Sequence, residues 1–344
     1  MQSSDAHPWA TRTGSPSALN LEREPVFAGP HLQTVKSVRT ECQYRIMYER
    51  VLIAVDASDE AKHAARRGLE LAAGFDAAVD VLHVVPKSAL SLTQTADERA
   101  ELRGRGETLL DEIEALAADA GQSVTTTLLD GKPAPAICEY VAERDADLVV
   151  LGRQGMTGLG KRLLGGVTER VLHQSPAPVL VVPGEAELTG DDTAFSRILV
   201  PTDGSENAER ATPHAIALAE THDATIHALH VVDLQAAGGV FDVGGLEPEF
   251  VERLEARGRA AVSSVAGDVD ESSAGVDVET AVERATSYDG TAAGIRSYVD
   301  SEDVDLVVMG SHGRSNLQRQ LLGSVASTVL RTVDVPVLVV TRAQ

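Results

Sequence analysis

From Arg50 onward the chain is written twice. Arg50-Val-Leu-Ile-Ala-Val-Asp56-Ala-Ser58 matches Arg197-Ile-Leu-Val-Pro-Thr-Asp203-Gly-Ser205, and Val81-Leu-His83-Val84-Val85 matches Ala228-Leu-His230-Val231-Val232, both at an offset of 147. Further on, Asp147-Leu-Val-Val-Leu-Gly152 matches Asp305-Leu-Val-Val-Met-Gly310, and Pro178-Val-Leu-Val-Val182 matches Pro336-Val-Leu-Val-Val340, both at an offset of 158. The difference of 11 lies between Val231 and Ile295, which are 64 residues apart where Val84 and Ile137 are 53 apart. A long internal repeat means one folding unit used twice. The expected domains are 50–183 and 197–344, joined by a linker over 184–196 that is rich in Gly, Asp, Glu and Thr.

Within each copy, short Val/Ile/Leu runs alternate with amphipathic segments. Strands are expected at 50–55, 78–84, 124–128, 147–151 and 179–182, and again at 197–201, 225–231, 276–281, 305–309 and 337–341. Helical patterns lie between them, as over Glu60–Ala73, Ala96–Ala118 and Ala134–Arg144. Strands that are apolar throughout belong to a sheet covered on both faces. Strand–helix alternation with right-handed crossovers then makes each copy an α/β, doubly wound parallel sheet.

Such sheets bind ligands beyond the carboxyl ends of their strands. Two glycine-bearing segments fall there. Gly152-Arg-Gln-Gly155 is followed after nine residues by Gly165-Gly166-Val167, and Gly310-Ser-His-Gly313 after nine residues by Gly323-Ser324-Val325. Each starts where the fourth strand ends and finishes where a helix pattern begins, over Val167–His173 and Val325–Thr332. A single such pair of glycines is as well explained by a tight turn. The same spacing at equivalent places in both copies points to a loop that lets phosphate approach backbone N–H groups.

These segments resemble those of the universal stress protein family in its tandem form, over nearly all of 50–344. The resemblance implies two Rossmann-like domains, each with a five-stranded parallel sheet, arranged as an internal pseudo-dimer. Nucleotide-binding members carry G-x2-G-x9-G-[S/T] after the fourth strand. The second copy matches through Gly310, Gly313, Gly323 and Ser324, with Val325 following; the first has Gly152, Gly155 and Gly165 but Gly166 in place of the hydroxyl residue. The resemblance also implies that Asp56 and Asp203, with Val84 and Val231, lie beside the adenosine of ATP or AMP, with Mg2+ as a candidate companion of the phosphates. Losing one side-chain donor to a phosphate costs roughly 1–2 kcal/mol, about tenfold in affinity. The second copy is therefore expected to bind more strongly, unless Arg153, Lys161 and Arg162 compensate in the first. Gly155–Lys161 also reads GxxxxGK, but Arg162 stands where a P-loop needs Ser or Thr to hold magnesium. His83 and His230 read as packed or hydrogen-bonded strand residues, whereas His312, Arg314 and Arg319 lie in the second loop within reach of a phosphate.

The last strands of the copies, at 178–182 and 336–340, would each leave an apolar edge open unless they paired with one another. Further homodimerisation is compatible with this. Acidic residues number 52 against 30 Lys+Arg, a formal charge of −22. That excess argues against nucleic acid and anionic membranes as partners. Only five basic residues are lysines, a pattern of proteomes adapted to concentrated salt such as those of halophilic archaea. The two cysteines, Cys42 and Cys138, support no disulfide framework or Cys-rich zinc site. Residues 1–49 carry no net charge, four of the 14 prolines and no sustained periodicity; they read as a loosely attached extension, and Met47 is a candidate true start. With no apolar run of membrane length and no signal-peptide layout, the expected setting is cytoplasmic.

The function expected is that of a nucleotide-sensing stress-response regulator, read by an unidentified protein partner. No serine elbow, His-based metal spacing or positioned base marks a catalyst, beyond slow ATP hydrolysis. The alternatives are a nucleotide-independent, chaperone-like scaffold and an adenylate-forming enzyme on a related fold.

Overall fold

The computed structural model describes residues 48–87, 95–155, 163–184, 195–234, 247–272, 275–285, 290–313 and 322–341. The N-terminal extension before Tyr48, most of the expected linker (185–194) and residues Lys161, Arg162, Arg314 and Arg319 lie outside them. The first copy runs β1 (Arg50–Val55), α1 (Asp59–Phe75), β2 (Ala78–Pro86), α2 (Ala96–Asp119), β3 (Val124–Gly131), α3 (Pro133–Arg144), β4 (Leu148–Gly152), α4 (Gly166–Gln174) and β5 (Val179–Val182). The second runs β6 (Arg197–Pro201), α5 (Glu206–Glu209), α6 (Ala211–His222), β7 (Thr225–Val232), α7 (Pro248–Glu271), β8 (Val278–Arg284), α8 (Gly290–Ser301), β9 (Leu306–Gly310), α9 (Ser324–Thr332) and β10 (Val337–Val340).

The expected pattern of five strands per copy holds, with two informative differences. The third strand of each copy, β3 and β8, ends three residues later than its apolar run. These strands form the outer edges of the sheet, so polar Asp130 and Arg284 still pair, opposite Val85 and Val232. An edge strand needs backbone partners on one side only, and hydrophobicity under-reports its length. The second difference is that the single helix α1 has two counterparts, α5 and α6. Pro213 lacks the N–H that would reach the carbonyl of Glu209, which breaks the ladder between them. Four helix ends are closed by aspartates in the left-handed region, Asp76, Asp145, Asp223 and Asp303, with φ of 54°, 51°, 56° and 46°. They fall in pairs at the two repeat offsets.

The described strands form one sheet in the order β3-β2-β1-β4-β5-β10-β9-β6-β7-β8. Every pairing is parallel except the central one, where β5 and β10 run antiparallel with Leu180 opposite Leu338 and Val179 opposite Val339. This is the edge-to-edge contact expected of the two Pro-Val-Leu-Val-Val runs. Successive side chains of a strand point to opposite faces. Leu180, Val182, Leu338 and Val340 thus enter one core, under α1, α2, α6 and α7, while Val179, Val181, Val337 and Val339 enter the other. Each core runs unbroken from one copy into the next.

Above β5 and β10, the copies also meet through polar and aromatic groups. Tyr48, just before β1, sits edge-on to Phe75 and places its hydroxyl 2.7 Å from His214 Nδ1 on α6. Its repeat counterpart Phe195 sits edge-on to His222 and beneath the Arg67 guanidinium. Burial pushes His214 down to about 4, which keeps its imidazole neutral and able to accept from Tyr48.

Two predictions follow from this joint core. Leu180→Ala should cost about 2–5 kcal/mol in denaturant unfolding, because the cavity opens at the seam of both copies; a loss under 1 kcal/mol would contradict it. His214 takes up its proton more readily when unfolded, so its contribution is absent above pH 6.5 and destabilises progressively down to about pH 4. The full loss is roughly 3 kcal/mol. His214→Gln, which keeps a hydrogen-bonding group for Tyr48, should flatten that part of the stability–pH curve.

Candidate functional site

Each copy's first strand ends one or two residues short of an aspartate that begins a turn. Ser58 N–H donates to Asp56 Oδ1 at 3.1 Å, and the Ser58 hydroxyl bonds the same oxygen. In the second copy Ser205 N–H donates to Asp203 Oδ1 at 3.0 Å. The same serines cap the helices that follow, accepting from Ala61 N at 3.1 Å and Ala208 N at 3.3 Å. One carboxylate oxygen is thereby held in the turn, and the other faces the glycine loop. A Cβ on Gly155 would collide with Asp56 Oδ2, and one on Gly313 would stand 2.6 Å from Asp203 Oδ2. Only glycine permits this approach of loop to carboxylate.

The two loops close in the same way. Gly165 N–H donates to the Arg153 carbonyl at 2.9 Å, and Gly323 N–H to the Ser311 carbonyl at 2.8 Å. Gly165 and Gly323 are the N-caps of α4 and α9, and neither helix start has a side-chain cap. The first-turn N–H groups of a helix have no partner within it, and with the helix dipole they form a ready site for an anion.

In the first copy these parts surround one cleft of about 350 Å³ at the carboxyl ends of β1, β2 and β4. Asp56, Val84, Gly152, Gly155, Gly165 and Gly166 all line it. In the second copy, Gly313 faces Asp203, Gly323 packs on Ser311 and His312, and Ser324 opens α9 with Val325 next in the helix. Val231 is buried in the core on that side, against Gly294.

One feature departs from the sequence reading and another escaped it. Arg153 does not serve the first loop's mouth: it is 4% exposed and turns into the boundary between the copies, where Nη1 donates to the Val333 carbonyl at 2.9 Å and Nη2 lies 3.7 Å from Asp334. Arg153 lies just past the end of β4, and a guanidinium committed to the Val333 carbonyl across the seam does not also reach the loop mouth. Glu60 was not singled out, yet its carboxylate accepts from Gln154 N at 2.6 Å and from Gly184 N at 3.1 Å. It sits at the repeat position of Asn207, so the first loop has a carboxylate against its backbone where the second copy carries no charge in its sequence. The charge difference at this repeat position, one of several between the segments, was the available signal. His83 and His230 are hydrogen-bonded strand residues as expected, with Nδ1 at 2.8 Å from the Val55 carbonyl and 2.7 Å from the Thr202 carbonyl. They hold the chain immediately before each aspartate.

The loop geometry is testable without any ligand. Nothing lies within 4 Å of a Cβ at Gly166, so Gly166→Ala should leave stability unchanged or raise it by up to about 1 kcal/mol through helix propensity, with Tm unchanged or higher. Gly155→Ala should lower stability by about 1 kcal/mol by displacing the Asp56 carboxylate from its turn. Equal melting temperatures for both variants would refute the close approach.

The universal stress protein family matches residues 47–183 and 194–341. A universal stress protein of Mycolicibacterium smegmatis is 30% identical over 302 residues, covering 84% of this chain and 96% of its own. One from Methanocaldococcus jannaschii is 36% identical over 140 residues, 40% of this chain and 82% of its own. Among solved structures, a universal stress protein from Archaeoglobus fulgidus superposes with a TM-score of 0.63 at 22% identity, over 87% of this chain and 98% of that one. The repeat, the joined sheet and these matches agree: the chain belongs to the universal stress protein family, with two of its domains in tandem.

Proposed function

We propose that the chain is an adenine-nucleotide-binding regulator, with sites at the carboxyl edges of both half-sheets. The observation that carries this reading is the convergence of six separately placed residues, Asp56, Val84, Gly152, Gly155, Gly165 and Gly166, on one cleft. The starts of α4 and α9 have no side-chain cap and fit phosphate, since the first-turn N–H groups of a helix have no partner within it. Asp56 and Asp203 each turn a carboxylate oxygen toward the loop, suited to accept from a ribose hydroxyl. The backbone of Val84 and Val231 can pair with the adenine edge. ATP or AMP supplies the phosphate, and Mg2+ enters with ATP as its counter-ion. Nucleotide would order the loops and helix starts, and a protein partner would read that order.

Two differences between the copies support the second as the stronger site. Ser324 adds a hydroxyl donor where the first copy has Gly166, and the Glu60 carboxylate stands against the first loop where the second has Asn207. A negative charge beside a phosphate weakens its binding.

The test is to purify the protein in molar potassium chloride, as its acid excess favours, and identify nucleotide released on denaturation by mass spectrometry. ATP and AMP, with and without Mg2+, are then titrated into stripped protein. The expected result is near one nucleotide per chain, with Ser324→Ala weakening the tighter site and Gly166→Ser strengthening the weaker one, each roughly tenfold. No released nucleotide and no uptake would overturn the reading in favour of a nucleotide-independent scaffold.

A further inference from the structure

Each glycine loop is fastened to the opposite half of the molecule, by different chemistry. The first is held by the Arg153 guanidinium, which donates across the seam to the Val333 carbonyl. The second is held by an imidazole: Leu322 N–H, one residue ahead of Gly323, donates to His173 Nδ1 at 3.1 Å. His173 belongs to the last turn of α4, in the first copy.

The repeat shows that this contact is not symmetric. The counterpart of His173 is Arg331, and the counterpart of Leu322 is Leu164. A guanidinium carries donors only, so Arg331 cannot accept the Leu164 N–H as His173 accepts that of Leu322. Arg331 instead reaches Glu169 on α4, at 3.6 Å. Accepting through Nδ1 fixes the lone pair there and the proton on Nε2.

We propose that His173 is a positioning residue of the second copy's site, supplied by the first domain. By accepting from Leu322 it sets the backbone that leads into Gly323 and Ser324, and so the direction of the N–H groups at the start of α9. This rests on the nucleotide reading above. The second site is complete only when both halves are present.

The experiment uses the full chain with His173→Leu and with His173→Asn, whose side-chain oxygen can take the place of Nδ1. Amide hydrogen exchange over the peptide containing Leu322, without nucleotide, reads the tether directly. Equilibrium dialysis with ATP reads the site, in the parent and in a Gly323→Val background that disables the second loop. His173→Leu should speed exchange at Leu322 and weaken the tighter ATP site roughly five- to tenfold. His173→Asn should restore both, and in the Gly323→Val background His173→Leu should change nothing further. Unchanged exchange and affinity would overturn the proposal. So would an affinity loss that persists with Gly323→Val, which would make His173 a structural residue of the first domain. Fast exchange in His173→Leu with no ATP uptake by the parent would reject the nucleotide reading, and the positioning role with it, while leaving the tether in place.

Discussion

The antiparallel pairing of β5 with β10 is the contact on which the rest of the molecule depends. Each strand is four residues long and buried along its whole length. Standing alone, either would be a flat apolar edge, open to pairing with any strand that met it. Pairing them removes both edges and lets alternate side chains knit the two upper cores into one and the two lower cores into one. The outer ends of the sheet, β3 and β8, are the half-exposed strands that remain. Covalent linkage keeps the second half at high local concentration around the first, so the central pairing forms within one chain.

The same pairing brings the two glycine-loop edges into contact across the seam. α4 and α9 start at the glycine loops and run back toward the seam, where Glu169 and Arg331, His173 and Leu322, and Arg153 and Val333 meet. A change of order at one loop has a short route of hydrogen bonds to the other half. Equilibria connected in this way bias one another to the extent that each contact differs between their states.

Much of this was legible in the sequence because the determining signals are local and doubled. Apolar strand runs such as Val51–Val55 and Leu148–Leu151 announce a sheet covered on both faces, and repetition at fixed offsets exposes the domain plan. The glycines stood out the same way, since Gly152, Gly155 and Gly165 recur as Gly310, Gly313 and Gly323, while the family resemblance added Asp56 and Asp203. What escaped is what depends on direction. The sequence places Arg153 between two cleft-lining residues, but nothing in it says that the side chain turns into the seam. Glu60 and His173 act through backbone groups 94 and 149 residues away, and no periodicity encodes such partners. The ends of β3 and β8 escaped for a different reason, because an edge strand needs no apolar face to continue.

The ring contacts at the seam bear on which halves can pair. Tyr48 meets a histidine across the boundary, and its counterpart Phe195 meets an arginine. Two first halves joined by the same geometry would set Tyr48 against Arg67 in both places, where a guanidinium, carrying donors only, cannot accept from the phenol hydroxyl as His214 does. Two second halves would leave His214 beside a ring with no hydroxyl to offer. Only the mixed pair gives each ring its complement. The two repeats thus differ at the seam in complementary positions, so that each ring is matched by the other half of the chain as well as held near it by the tether.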